Sequence, residues 1–396
     1  MRKEFSIVCI SVFLLVLGTY ISGSLFVPYA HALGGSSFTI GIIYSSMYVV
    51  RLIFGTPIGW LSQKKGAKKV LIYSLMLYPL IAAAYWVSWN IPSLLAARLL
   101  HGAASAMMLP MAMAYIGEIS PQGQGGRYMG LYNLITFSAS GIGPVVGGFI
   151  YESYGIKEAF LTLFILALLA LVLILIVGNA KTPLVTSSRE GETRQETQFN
   201  IKALLRDKRL WGLACVNIVS AVLLALFGAA FTEYALGCAL NMKSIGVLIA
   251  INNIVIGVAQ IPLGKLSDRY NKAVLVMISA AATSLLLILF LTFKSFWGIG
   301  LLLIVIGVAI ALHFSASAAI SAVIGKQGGM SVTMGFLSSV NSTGTIIGYL
   351  LLGFITDTFG IQNTFYFTAC LFIIGNLLFL LCWRLYLKTF KQERMD

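Results

Sequence analysis

Charge is what this chain of 396 residues has least of: 10% of it is Asp, Glu, Lys or Arg, against 59% hydrophobic residues. Soluble domains run at about 25% charged, so this chain has too little polar surface to coat a water-soluble particle of its size. That excludes an ordinary globular protein and places the chain in a bilayer. Histidine is equally sparse, with three in all. There is no His-Glu-x-x-His pair and no Gly-x-Ser-x-Gly elbow, so no enzymatic constellation is expected. The five cysteines, Cys9, Cys215, Cys238, Cys370 and Cys382, lie in or beside apolar runs without metal-like spacing, and neither a metal site nor a cofactor is expected. A Gly-x-x-x-x-Gly-Lys-Ser/Thr loop is also missing, which argues against direct ATP drive.

What the chain does have is a series of apolar runs, each close to the 20 or so residues needed to cross the hydrocarbon. Twelve spans are predicted: Phe5 to Ala32, Ile40 to Leu61, Val70 to Trp89, Leu94 to Ile116, Tyr128 to Tyr151 and Ala159 to Val177, then Leu210 to Glu233, Ser244 to Leu266, Ala273 to Thr292, Trp297 to Ile320, Val332 to Thr356 and Thr364 to Leu385. The runs are continuous and do not alternate, so the spans are helices and the fold class is an all-α integral membrane protein. Met1-Arg2-Lys3, an apolar run and Ala30-His31-Ala32 look like a signal peptide, but the run exceeds the 7 to 15 residues of a cleaved segment. With both termini in the cytoplasm, the basic residues Lys157, Lys243 and Lys294 fall outside and Arg51 and Arg98 fall within spans, while the rest of the 27 Lys and Arg lie on or next to the cytoplasmic side. That asymmetry orients a multi-pass protein of the cytoplasmic membrane. The Lys64, Lys65, Lys68 and Lys69 cluster sits in a turn too short to hold a duplex, so no nucleic-acid partner is expected.

Shifting the second half back by 205 residues aligns the halves without a gap. Phe26, Tyr29 and Ala30 meet Phe231, Tyr234 and Ala235; Pro57, Gly59, Leu61 and Ser62 meet Pro262, Gly264, Leu266 and Ser267; Gly102 meets Gly307; Gly148-Phe149-Ile150 meets Gly353-Phe354-Ile355; and Glu152 faces Asp357. Six spans per half make this a parallel repeat about an axis normal to the membrane, with the substrate expected between the halves. The predicted organisation is a six-helix bundle over 1–178, a cytoplasmic linker over 179–209 and a second six-helix bundle over 210–396, acting as a monomer. The linker's end, Phe199 to Arg209, has the pattern of a surface-lying amphipathic helix.

Gly59-Trp-Leu-Ser-Gln63-Lys-Lys-Gly66-Ala-Lys68-Lys69, between the second and third spans, resembles the loop signature of the major facilitator superfamily. Gln63 stands where that signature carries an acid, whereas the second copy, Gly264-Lys-Leu-Ser-Asp268-Arg269, keeps it. The resemblance implies that closure of the cytoplasmic side leans on Asp268. Leu94-Leu-Ala-Ala-Arg98-Leu-Leu-His101-Gly102 resembles the family's fourth-helix motif, whose arginine is linked to proton coupling, with His101 replacing the usual glutamine. Gly130, Gly143-Pro144 and Gly147-Gly148 resemble the fifth-helix motif of the 12-helix drug/proton antiporters, with Ala139 at a position where glycine is usual. Small residues there permit close helix packing, and Pro144 can bend the helix.

An ionised side chain in a span must face protein or water, because the bilayer centre penalises it by about 2.5 to 3.5 kcal/mol on insertion scales. Arg51, Arg98, His101, Glu233 and His313 are the residues so placed, and they are the candidates for proton coupling or substrate contact. Arg98 and His101 share a helix face, so protonation of His101 would respond to an approaching anion. Tyr20, Tyr44, Tyr48, Phe137, Phe227 and Phe231, with Asn133, Asn217, Asn252, Asn253, Gln260 and Asn341, offer aromatic and amide lining for an amphipathic ligand. Two cations and no acid in the first span lean the cavity toward neutral or anionic compounds. The function expected is secondary transport by alternating access: proton-coupled efflux of small amphipathic compounds, with proton-coupled import of an organic anion or nutrient, or lipid translocation, as alternatives.

Overall fold

The computed structural model describes residues 3–121, 124–176, 207–328 and 330–392. They form α1 (Lys3–Gly23), α2 (Phe26–Ala32), α3 (Ser37–Lys65), α4 (Ala67–Trp86), α5 (Ile91–Ile119), α6 (Gly125–Tyr154), α7 (Ile156–Ile176), α8 (Lys208–Ala225), α9 (Phe231–Gly237), α10 (Met242–Arg269), α11 (Lys272–Phe290), α12 (Phe296–Gly328), α13 (Met330–Phe359) and α14 (Ile361–Gln392). These make 12 helical segments long and apolar enough to cross a membrane. An even number of crossings puts the first and last described residues at one end, called here the terminus end. The linker at 179–206, including most of the expected surface helix, lies outside the described residues.

The repeat is visible in the helix boundaries. Lys3 and Lys208, Phe26 and Phe231, Ser37 and Met242, Ala67 and Lys272, Ile91 and Phe296, Gly125 and Met330, and Ile156 and Ile361 each open equivalent helices 205 positions apart. Side-chain caps define several of these starts. The Ser36 and Asn241 side chains accept from Thr39 N and Ser244 N at the equivalent helices α3 and α10, as Ser and Asn at N-caps do. Asn90 and Ser93 form a capping box at α5.

Two expected spans are not single regular helices. The first is interrupted between Gly23 and Phe26, because Pro28 has no N–H for the Ser24 carbonyl and its ring crowds that position. In the second half Glu233 replaces Pro28, and the equivalent stretch remains helical as a π turn at Leu226–Ala230.

In the first half α1 packs on α6 and α7, while α5 packs on α3 and α4; in the second, α8 packs on α13 and α14 and α12 on α10 and α11. Each half is sealed away from the termini by an equivalent aromatic cluster. Phe26, Tyr29, Tyr85 and Phe160 stack in one, and Phe231, Tyr234, Phe290 and Phe365 in the other. Tyr29 Oη donates to Ser88 O, and Tyr234 Oη to Phe293 O, at the same register. Opposite the buried Phe160, Leu163, Ala167 and Ala170 of α7, Leu161, Ile165, Leu168 and Val172 are exposed, an apolar outer face suited to lipid.

Candidate functional site

The halves meet through two equivalent helix pairs, α3 with α13 and α6 with α10. At the end away from the termini, the pairs interlock through glycine. A Cβ on Gly148 would strike the Met242 carbonyl and one on Gly353 the Ser37 carbonyl; likewise Gly246 faces Pro144 O and Gly41 faces Tyr349 O. Backbone therefore meets backbone at four equivalent points, an approach that only glycine permits. Carboxylates complete the contact. Asp357 of α13 accepts from Ser37 N and Phe38 N at 2.9 and 2.8 Å, and Glu152 of α6 accepts from Met242 N at 2.8 Å. Each satisfies otherwise unpaired N–H groups at a helix start and places negative charge at the positive end of that helix's dipole. Glu233 joins one copy only, accepting from Ser37 Oγ at 2.6 Å.

Among the described residues, contacts between the halves continue as far as Tyr48 with Tyr349 and Phe137 with Gly257. Beyond them, a Cβ at Gly130, Gly264 or Gly335 would meet no atom of the described residues within 4 Å. Among the described residues the close packing expected at Gly130 and Gly264 is not made in this conformer, which leaves the terminus end open between the halves. Gly66 instead ends α3 with φ of 83°, a left-handed turn favouring glycine. Gly143 and Gly147 lie against Tyr20 and Ile21 of α1, so these two pack within the first half. Lys68 Nζ sits 5.6 Å from the Tyr115 ring centre, and Arg269 is exposed. Gly59 lies within α3, and the side chains of Gln63 and Asp268 lie outside the described set.

Between the closed end and the open one is a cavity of about 550 Å³ lined by both halves. Of the expected lining residues it contains Tyr20, Tyr44, Tyr48, Asn133, Phe137, Phe227, Phe231, Asn252 and Asn253, together with Arg51, Arg98 and His101. Among the described residues, no Asp or Glu lines it. Arg98 is 5% exposed. Its guanidinium carbon lies 3.7 Å from the Phe26 ring centre and 4.6 Å from that of Tyr44, and Nη1 reaches Met47 Sδ at 3.8 Å. Its Nε and Nη2 are buried without a hydrogen-bond partner. His101 Nδ1 pairs with Tyr85 Oη at 2.9 Å. Arg51 is half-buried, with its guanidinium 5.5 Å from the Tyr48 ring centre. Tyr44 stacks on Tyr349 of the second half at 4.9 Å and donates to Gly23 O at 3.1 Å, a carbonyl beside the break in the first span.

Five expected site residues lie elsewhere. His313 is buried inside the second half, paired with Ser279 Oγ at 3.2 Å and set against Phe372, so it packs α12 and does not line the cavity. Asn217 turns its amide onto Leu213 O in its own helix at 2.9 Å. Gln260 and Asn341 are half-buried away from the lining. Glu233 belongs to a separate small pocket with Ser37, Gly41 and Tyr349 at the closed end. Sequence reasoning missed Tyr349, Tyr78, Tyr132 and Met47 in the cavity wall. Of these Tyr349 had a readable signal: it stands 205 positions after Pro144, in the duplicated copy of the fifth-span motif.

The Major Facilitator Superfamily profile matches residues 8–320 and 216–394. An uncharacterized MFS-type transporter of Methanocaldococcus jannaschii is 26% identical over 384 residues, covering 96% of this chain and 97% of that protein. The quinolone resistance protein NorA of Staphylococcus aureus is 24% identical over 371 residues, covering 90% and 91%. Among solved structures, a bacterial homolog of the human lysosomal transporter Spinster, inward-facing and occupied, superposes with a TM-score of 0.77 at 13% identity, covering 97% of each chain. The nucleoside transporter NupG gives 0.74 at 14% identity, covering 97% of this chain and 99% of that one.

Proposed function

From the premise that this chain belongs to the Major Facilitator Superfamily and is a secondary transporter, we propose that it exports small amphipathic compounds, neutral or anionic, across the cytoplasmic membrane in exchange for protons. The observation that carries the substrate class is a cavity between the halves that holds two arginines and no carboxylate. An acid-free lining of this kind gives a cationic drug nothing to pair with and gives an anion two partners. Tyrosine and phenylalanine rings supply the apolar remainder of the site.

With the basic loops in the cytoplasm, the terminus end is the inner side, and the conformer is open inward and latched outward. Rocking the two repeats about the cavity exposes it to each side in turn. Proton exchange has acidic candidates at the outer latch, where Glu233 meets Ser37, and a titratable candidate in the cavity, His101. The similarity to a quinolone resistance protein, NorA, favours outward movement of a foreign compound. The test is uptake into energised inverted vesicles, whose lumen corresponds to the outer side. Collapse of the proton gradient abolishes uphill movement, and uphill movement that survives collapse rejects proton drive. The two arginines also suit an importer of organic anions, which vesicles with the opposite proton gradient would reveal as net uptake.

A further inference from the structure

We infer that the cavity takes aromatic monocarboxylates, and that the carboxylate is bound edge-on by Nε and Nη2 of Arg98. The inference rests on the central cavity being the transport site and names its ligand class.

A guanidinium has two faces and a set of N–H edges, and in Arg98 all but one are accounted for. Phe26 and Tyr44 rings lie against the guanidinium at 3.7 and 4.6 Å. Nη1 has the thioether of Met47, a weak acceptor. The Tyr85 hydroxyl also approaches the guanidinium, but Nε and Nη2 are buried and make no hydrogen bond of good geometry, and this edge presents two parallel N–H groups in the arrangement that a carboxylate accepts bidentately. A buried cation with no counter-charge is costly to leave unpaired.

Among the described residues no acid lines the cavity to supply that charge. Glu233 holds Ser37 Oγ, while Asp357 and Glu152 are committed to the helix starts at Ser37 and Met242. None of the three lines the cavity. Arg51 is less suited, being only half-buried beside Tyr48, and His101 Nδ1 is taken by Tyr85. One dry edge therefore selects one carboxylate.

The rest of the ligand meets rings. Tyr20, Tyr48, Phe137, Phe227 and the Tyr44–Tyr349 stack line a space of about 550 Å³, ample for a fused bicyclic body. Both free nitrogens are shut off from water in this conformer, so the carboxylate reaches them through a local shift of the rings flanking the guanidinium. Because Tyr44 also stacks on Tyr349 of the other half, occupancy of this edge is felt at the contact between halves.

The probes are 2-naphthoate, 2-naphthamide and 2-naphthylmethylammonium, titrated calorimetrically into the purified full-length protein. The wild type is expected to bind the carboxylate about tenfold more tightly than the amide and to leave the ammonium unbound. Arg98→Gln is expected to reduce the carboxylate-to-amide ratio to near one, and Arg98→Lys, which keeps charge but not the fork, to give an intermediate ratio. Equal affinities for carboxylate and amide in the wild type overturn the inference. So does an unchanged ratio in Arg98→Gln, or the absence of binding by any probe at about 1 mM. If Arg98→Gln does not fold, Arg98→Lys decides: an unchanged ratio there overturns it. Vesicle transport is scored separately, so uphill movement that survives collapse of the proton gradient, with the naphthoate preference intact, refutes the proton-coupled export reading and leaves the carboxylate site standing.

Discussion

Gly246→Ala should shift the conformational balance without harming the fold. A Cβ at Gly246 would lie against the Pro144 carbonyl, 2.8 Å from its carbon and 3.3 Å from Val145 Cα. The obstacles are backbone atoms of α6, so relief requires the two helices to separate. Forcing an extra methyl group into packed structure costs about 1 to 3 kcal/mol, and the Gly246 contact exists only when the outer end is closed. A penalty of that size changes the closed-to-open ratio about 5- to 150-fold. The substitution also raises helix propensity by roughly 0.5 to 1 kcal/mol, but that gain applies to both conformers and cancels in their ratio. The assay is a spin-label distance across the closed end, between Trp89→Cys and Lys294→Cys in a protein whose five native cysteines have been replaced, reconstituted in lipid nanodiscs. Both label positions are exposed. Gly264→Ala is the control, since it lies in the same helix and its Cβ meets nothing within 4 Å. The Gly246→Ala distance distribution should gain a longer component, and the control should match the parent. An unchanged distribution for Gly246→Ala, or an equal change in Gly264→Ala, would refute the glycine interlock as the element that sets closure.

Asp357→Ala and Glu152→Ala, which remove the caps on α3 and α10, should lengthen the same distance, each weakening closure by about 0.5 to 2 kcal/mol as lost helix caps do. Ala239 is the one non-glycine with positive φ among the described residues, at 59°, where the first half has Gly34 at 82°. Ala239→Gly should raise the melting temperature, since relief of about 1 to 2 kcal/mol of left-handed strain outweighs the roughly 0.4 to 1 kcal/mol of chain entropy that glycine restores to the unfolded state. Tyr85→Phe deprives buried His101 of its Nδ1 partner and should lower stability by about 1 to 3 kcal/mol, read as a drop in melting temperature. His313→Gln should leave 2-naphthoate affinity within about twofold of wild type, because His313 packs against Ser279 and Phe372 outside the cavity.

The twelve crossings and their duplication were legible because lipid imposes continuous apolar runs and because glycine, proline and acid matches survive at one offset. The break at Ser24 and Leu25 was less so: the long run from Phe5 hid the effect of Pro28 on the carbonyl four residues earlier. Arg98 and His101 could be paired from their spacing alone, since a helix puts residues three apart on one face. The latch could not. Glu152 and Asp357 were visible as a matched pair, but their targets, Met242 and Ser37, are each in the opposite half. Only the docking of α6 on α10 and of α13 on α3 brings a carboxylate to those helix starts. His313, Asn217, Gln260 and Asn341 looked like Asn252 or Asn253 in sequence, and a polar residue in a span does not reveal which way its side chain turns.

The 205-residue offset also separates what both halves share from what one half alone provides. The glycine contacts recur in full, Gly41 with Gly246 and Gly148 with Gly353, as do the carboxylate caps and the aromatic seals. The cavity chemistry does not. Arg98, His101 and Arg51 are matched by Leu303, Ile306 and Ile256, Tyr44 by Ile249, Tyr20 by Ala225, and Glu233 by Pro28. A closure made from two equivalent latches suits a rocking motion about an axis between the halves, because both sides of the gap must open together. Ligand charge has no such requirement for symmetry. Placing both cavity arginines in the first half sets a bound anion against one wall, with the second half contributing Phe227, Asn252, Asn253 and Tyr349. Among the described contacts the stack from Arg98 through Tyr44 to Tyr349 is the tighter link from a cavity cation to the opposite latch helix, the other running from Arg51 through Tyr48. Tyr44→Leu should therefore loosen the link between 2-naphthoate binding and the spin-label distance while leaving both latches in place. If 2-naphthoate shifts that distance as strongly in Tyr44→Leu as in the wild type, the stack is not the route by which the cavity reaches the latch.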